Sequence, residues 1–291
     1  MNFLTAILNG LSAGGTYAMI ALGYTMVYGI AKMLNFAHGD IIMVGGYAMF
    51  VTLLLCKLPL LALAVAIIFC VLLGILIERV AYKPLRGASS LAVLITAIGV
   101  SYLLQSLAQL VFGSAPQSMT ALQINGILKL GAFNIAYSTI ITLAVTVVVM
   151  VALSLFIKYS KTGRAMVAVS EDKGAALLMG INVNKIIAIT FAIGSALAAV
   201  AGYLMLAKAP SLSNTLGAMP GIKAFTAAVI GGIGSIPGAM LGGILLGVVE
   251  SISNSIPVIA PYTDAVEFSI LIVILLVKPS GILGKMRREK V

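Results

Sequence analysis

The chain has 291 residues, 61% of them hydrophobic and only 9% charged, with a net charge of +10. A soluble domain carries about 25% charged residues, and one this apolar would expose large patches and aggregate. A soluble enzyme or nucleic-acid-binding domain is therefore excluded. Long apolar runs without strand-length alternation argue against a β-barrel, so the fold class is an all-α polytopic membrane protein, with one transmembrane domain over residues 1–291.

Apolar runs lie near 3–30, 36–56, 58–78, 88–112, 135–157, 184–207, 222–250 and 265–278. A bilayer core needs about 20 apolar residues per helix, which predicts about seven or eight transmembrane helices. The first run, opening on "MNFLTAILNG", has neither a basic start nor a cleavage site and reads as part of the first helix. Gly10, Gly14 and Gly15, Gly45 and Gly46, and Gly242, Gly243 and Gly247 mark faces where helices pack closely.

Between the first two runs stands "LNFAHGD", residues 34–40, with the sole histidine, His38, and the acid Asp40. It reads as a break in which Asn35 caps the next helix and Asp40 occupies its first turn, where the helix dipole favours an acid. A role in lining a path through the protein stays open. Cys56 and Cys70 sit in apolar runs without metal-ligand spacing and read as small buried hydrophobes.

The segment 158–185, "KYSKTGRAMVAVSEDKGAALLMGINVNK", is too long for a simple turn. Ala, Met and Leu favour a short helix there, with Ser170 as an alternative N-cap ahead of Glu171 and Asp172. Ala175, Leu178 and Met179 would share one face, and Gly180 would end the helix. Both a helix lying in the lipid interface and a knob docking a soluble partner fit these residues.

In the run 222–250, "GGIGSIPGAMLGG" (231–243) is poor helix. Such a break needs protein or a wet cavity around it, and a re-entrant pair of short helices is expected. Lys and Arg cluster at 78–87, 158–164 and 284–290, which the positive-inside rule makes cytoplasmic. The stretches 113–134 and 251–267 then read as external loops. Helix parity requires 222–250 to begin and end outside, and it puts the N-terminus outside if the first two runs both cross. Lys32, Lys57, Lys208 and Lys223 are read as snorkelling from helix ends.

No mid-membrane chain of acids, arginine ladder, selectivity-filter motif or phosphate-binding glycine loop is visible. The chain thus has a pore's ingredients without an energy source, which points to partner subunits.

"TYAMIALGYTMVYGIAKMLNFAHGDIIMVGGY", "ERVAYKPLR", "SEDKGAALLMGIN", "IAITFAIGSALAAVAGYL", "KAFTAAVIGGIGSIPGAMLGG" and "KPSGILG" occur in this order. They resemble the permease subunits of branched-chain amino acid ABC importers, with the closer match to the H-type subunit of the leucine/isoleucine/valine system. The resemblance spans nearly the whole chain. It implies a bacterial-type inner membrane, a second related permease, two cytoplasmic ATPase subunits that hold the ATP and Mg, and an external binding protein that delivers substrate. It implies no cofactor in this chain and no nucleic acid. It places the ATPase-coupling loop on Gly163, Arg164, Ala165, Glu171, Asp172, Ala175, Ala176, Leu177, Gly180 and Ile181. The wider importer pattern is Glu-Ala-Ala, three residues, then Gly; here Ala176 to Gly180 keeps the spacing and Glu171 is displaced. Candidate path residues are Asn35, His38 and Asp40 in the first break and Gly231, Gly232, Gly234, Ser235 and Pro237 in the second. Related permeases carry urea or short amides, and nothing in the residues selects leucine over these. A passive channel or secondary carrier filtered at 231–238, and a membrane enzyme using His38, are the competing classes.

Overall fold

The computed structural model describes residues 3–130 and 133–284; the basic positions Lys285, Arg287, Arg288 and Lys290 lie outside them. In chain order the helices are α1 (Phe3–Ala31), α2 (His38–Cys56), α3 (Pro59–Ile77), α4 (Ser90–Phe112), α5 (Tyr137–Tyr159), α6 (Lys161–Glu171), α7 (Lys173–Leu178), α8 (Val183–Lys208), α9 (Ala218–Gly231), α10 (Ile236–Ser255) and α11 (Thr263–Val277). Among the described residues, 8 helices are long and apolar enough to cross a membrane, as the hydropathy runs predict. α3 continues past Ile77 through a π turn at Glu78–Tyr82 and a 3-10 turn at Lys83–Leu85.

α1 is the axis of the bundle and packs against α10, α8, α9 and α5. Its seam with α10 is antiparallel and made of small residues. A Cβ added to Gly10 would lie 2.7 Å from the Val248 Cα, and one on Gly14 2.7 Å from the Ile244 Cα. Lipid supplies no hydrophobic drive between helices, so this backbone approach, with its dispersion contacts, holds the seam. The glycine faces predicted from sequence are thus helix contacts.

Lys32, Arg86, Lys158, Arg164 and Lys173 gather at one end of the bundle, called here the basic end. There Arg86 donates to Glu78 and to Asn184, and Lys173 Nζ donates to the Ala31 carbonyl at 2.9 Å. Among the described residues, the opposite end carries two small antiparallel sheets that hydropathy did not signal. β1 (Gln117–Ser118) pairs with β4 (Ser211–Leu212), and β2 (Ile127–Leu130) with β3 (Phe133–Ala136). Asp264 and Glu267, read from sequence as loop residues, belong to α11. Cys70 is buried, as expected, whereas Cys56 is exposed at the end of α2.

Two helices begin inside the bundle. α1 reaches the basic end at Ala31, and the chain then doubles back. The ring of His38, first residue of α2, lies against Gly23 of α1 and Gly194 of α8, about 12 Å along α1 from Ala31. α2 therefore runs from mid-depth to the opposite end. α9 starts at the same level, where Gly217 and Gly221 abut the Gly39 backbone. With 14 residues it is about 21 Å long, too short for a full crossing. It descends to the basic end, turns, and α10 returns.

The turn between α9 and α10 is narrower than the sequence predicts. Only residues 232–235 are non-helical; Pro237 stands in the first turn of α10, where its missing N–H costs nothing, and Ser235 caps the helix by accepting from Gly238 N at 3.2 Å. Gly238, Gly242 and Gly243 are helical. The two-segment reading holds, but its turn sits at the basic end, against the backbone that follows α11.

Candidate functional site

The coupling segment is two helices. Ser160 caps α6 by accepting from Gly163 N at 2.8 Å, and α6 is amphipathic, burying Gly163, Met166 and Val169. Ser170 is not a cap: its hydroxyl donates to the Val167 carbonyl at 2.7 Å. Asp172 leaves the helical region at φ −150° and caps α7 by accepting from Gly174 N and Ala175 N at 2.7 and 3.0 Å. An acid reaches two amides at once, so it outcompetes the serine and splits the segment. Ala176 packs inward, while Leu177, Leu178 and Met179 are 64, 90 and 81% exposed. Gly180 ends the turn at φ +79°, and Asn182 caps α8 through Lys185 N. Of the residues assigned to coupling, Gly163 and Ala176 anchor the motif to the bundle. Arg164, Glu171, Asp172, Ala175, Leu177 and Gly180 face outward, and Ala165 and Ile181 are half-buried. Partial burial and the nearby Arg86 charge lower the Lys173 pKa.

The first break is built from buried side chains. Asn35 does not cap α2, whose N-cap position is Ala37 with no side-chain bond; instead its Oδ1 accepts from the Tyr82 hydroxyl at 2.8 Å. Asp40 does occupy the first turn of α2 and accepts from Gln105 Nε2 at 2.8 Å. His38 lies edge-on to Tyr24, with ring centroids 4.9 Å apart. Among the described residues no group of three metal-ligating side chains forms.

Cavities open at both ends. At the basic end, one of about 570 Å3 is lined by Tyr28, Glu171, Gly234, Ser235 and Pro237 among others. It joins the second break to a coupling residue. Gly231 and Gly232 lie beside it, pinned by the chain after α11: Leu283 N donates to the Gly231 carbonyl at 2.9 Å. Asn35, His38 and Asp40 do not line this cavity. At the opposite end, a cavity of about 410 Å3 lies between α1, α5, α8, α9 and α10. Between the two depths, Phe225 meets Phe36 at 5.1 Å and Tyr24 at 5.8 Å, an aromatic seam joining α1, α9 and the first break.

One group eluded the sequence. Lys223 does not snorkel: it is buried in α9, with Nζ 2.6 Å from Glu250, 2.9 Å from Asp264 and 3.3 Å from Glu267. A lysine inside an apolar run followed by acids on the next two helices was the available signal, since charges within membranes pair.

Residues 6–275 match the family described as the branched-chain amino acid transport system permease component. The chain belongs to that family. It is thus a multi-pass inner-membrane permease, a component of a larger transport system and a transporter rather than an enzyme. It is 47% identical to the high-affinity branched-chain amino acid transport system permease protein BraD of Pseudomonas aeruginosa, over 100% of this chain and 98% of that one. It is 46% identical to LivH of Salmonella typhimurium, over 99% and 98%. A probable LivH of Methanocaldococcus jannaschii is 30% identical over 91% and 88%.

Proposed function

We propose that this permease pairs with a second, related permease and passes branched-chain amino acids inward by alternating access. Two ATPase subunits bearing ATP and Mg drive it, and an external binding protein delivers the substrate. The family match over residues 6–275 carries the reading, and the geometry supports it. The basic end is cytoplasmic by the positive-inside rule, which puts α6 and α7 inside and the N-terminus outside. The exposed Leu177, Leu178 and Met179 form an apolar knob suited to a soluble partner. Lys173, bonded to the end of α1, ties that knob to the bundle's axis. Cavities at opposite ends, separated by the aromatic seam of Tyr24, Phe36 and Phe225, suit a path open to one side at a time.

The test is purification with the ATPases, followed by leucine uptake into proteoliposomes. Leu178→Asp should leave the permease folded and remove the ATPase from the purified complex, and uptake should require ATP. Uptake that persists without ATP or any ATPase sinks the importer reading in favour of a channel or secondary carrier. Uptake of urea or short amides in place of leucine sinks the substrate.

A further inference from the structure

We infer that the outer cavity between α1, α5, α8, α9 and α10 is a transit site for the zwitterionic end of an α-amino acid, with Glu250 receiving the ammonium and Lys208 the carboxylate. The inference rests on the proposed import direction. A free amino acid carries both charges on one carbon, so a site for it needs a carboxylate and a cation facing one small space. Glu250 and Lys208 line the same cavity and act on each other electrostatically. Its volume of about 410 Å3 falls within the roughly 300–1,000 Å3 usual for small-molecule sites.

Two observations point to a ligand. The first is a cluster of charge at the cavity wall: Glu250, the half-exposed Asp264 and Glu267 gather on Lys223, and Lys208 adds a second cation that acts on Glu250. Glu250 is the acid of the three that borders the cavity. The second is an orphan: Ser12 is 1% exposed, lines the cavity, and its Oγ has no hydrogen-bond partner. Buried hydroxyls are normally bonded, and this one belongs to a residue of the cavity wall. Pro220, in the first turn of α9, also lines the cavity, so the positive end of that helix adds to the pull on a carboxylate. Leu204 and Met205 supply an apolar wall for an aliphatic side chain.

The experiment uses the whole complex in proteoliposomes with leucine-loaded binding protein outside, reading leucine uptake and ATP hydrolysis together. Wild-type complex that takes up no leucine defeats the importer reading itself. Given wild-type uptake, Lys208→Gln should lower it about ten- to a hundred-fold, the worth of one charged hydrogen bond. Hydrolysis stimulated by the loaded binding protein should persist, and Lys208→Arg should recover uptake. Lys208 is exposed, so its replacement leaves the core filled. Ser12→Ala should lower uptake in the same sense. Wild-type uptake by both Lys208→Gln and Ser12→Ala overturns the inference. So does equal loss of uptake and hydrolysis in an intact Lys208→Gln complex, which marks a contact with the binding protein instead.

Discussion

Residues 32–37 and residues 232–235 both reverse the chain between packed helices, with different parts of the polypeptide. The first reversal is held by side chains from distant helices: the Tyr82 hydroxyl reaches Asn35, and Gln105 reaches Asp40 just inside α2. The second is held by backbone. Gly232 N bonds the Ala228 and Val229 carbonyls, Ser235 N bonds the Gly232 carbonyl at 3.0 Å, and Ile282 N bonds the Ile230 carbonyl at 2.8 Å. A reversal held by side chains tolerates changes in its own backbone but depends on chemistry elsewhere. One held by backbone is indifferent to its neighbours' chemistry but, at Gly232, has no room for a side chain.

Substitutions can break this contrast, and thermal unfolding in detergent ranks them. Gly232→Val should do most damage, roughly 3 kcal/mol or more from strain and overpacking. Its φ is +105°, and a Cβ there would lie 2.7 Å from the Gly284 Cα and 3.0 Å from the Ser280 carbonyl oxygen. A wild-type melting temperature for Gly232→Val would show that the turn moves freely. Gln105→Leu should follow, at about 2 kcal/mol, because the buried Asp40 loses a donor. Asn35→Ala should cost about 1–2 kcal/mol by leaving the buried Tyr82 hydroxyl only the long contact to the Leu34 carbonyl at 3.4 Å. If it melts like wild type, backbone holds the first break too. The division between α6 and α7 offers the smallest contrast. Asp172→Ala should cost about 1 kcal/mol as a lost cap, and Ser170→Ala should stay within about 0.5 kcal/mol. The reverse order would restore Ser170 as the cap.

The spans were legible because hydropathy adds up residue by residue and lipid forces such runs into helices. The glycine faces were legible for a similar reason: small residues in lipid have few uses besides close packing. Side-chain partners were not. Asn35 has the chemistry of a cap, and only the fold brings Tyr82 from another helix to claim it. Lys223 looks like a helix-end lysine until α10 and α11 bring their acids beside it. Asp172 and Ser170 are both good caps, and the choice follows from geometry that spacing does not encode. Of the candidate path residues, Gly234, Ser235 and Pro237 line a cavity with Glu171, whereas Asn35, His38 and Asp40 pack into the bundle.

The seam of α1 with α10 also bears on how the protein is made. It joins two helices that are far apart in the chain, α1 at Phe3–Ala31 and α10 at Ile236–Ser255. At about 5–20 residues per second, α1 waits on the order of ten to fifty seconds for its main partner. Meanwhile its glycine face has only lipid, the insertion machinery or earlier-made helices to meet. The axis of the bundle can close only late in synthesis, and a nascent chain cut short before residue 243 would lack the surface that α1 is shaped to receive.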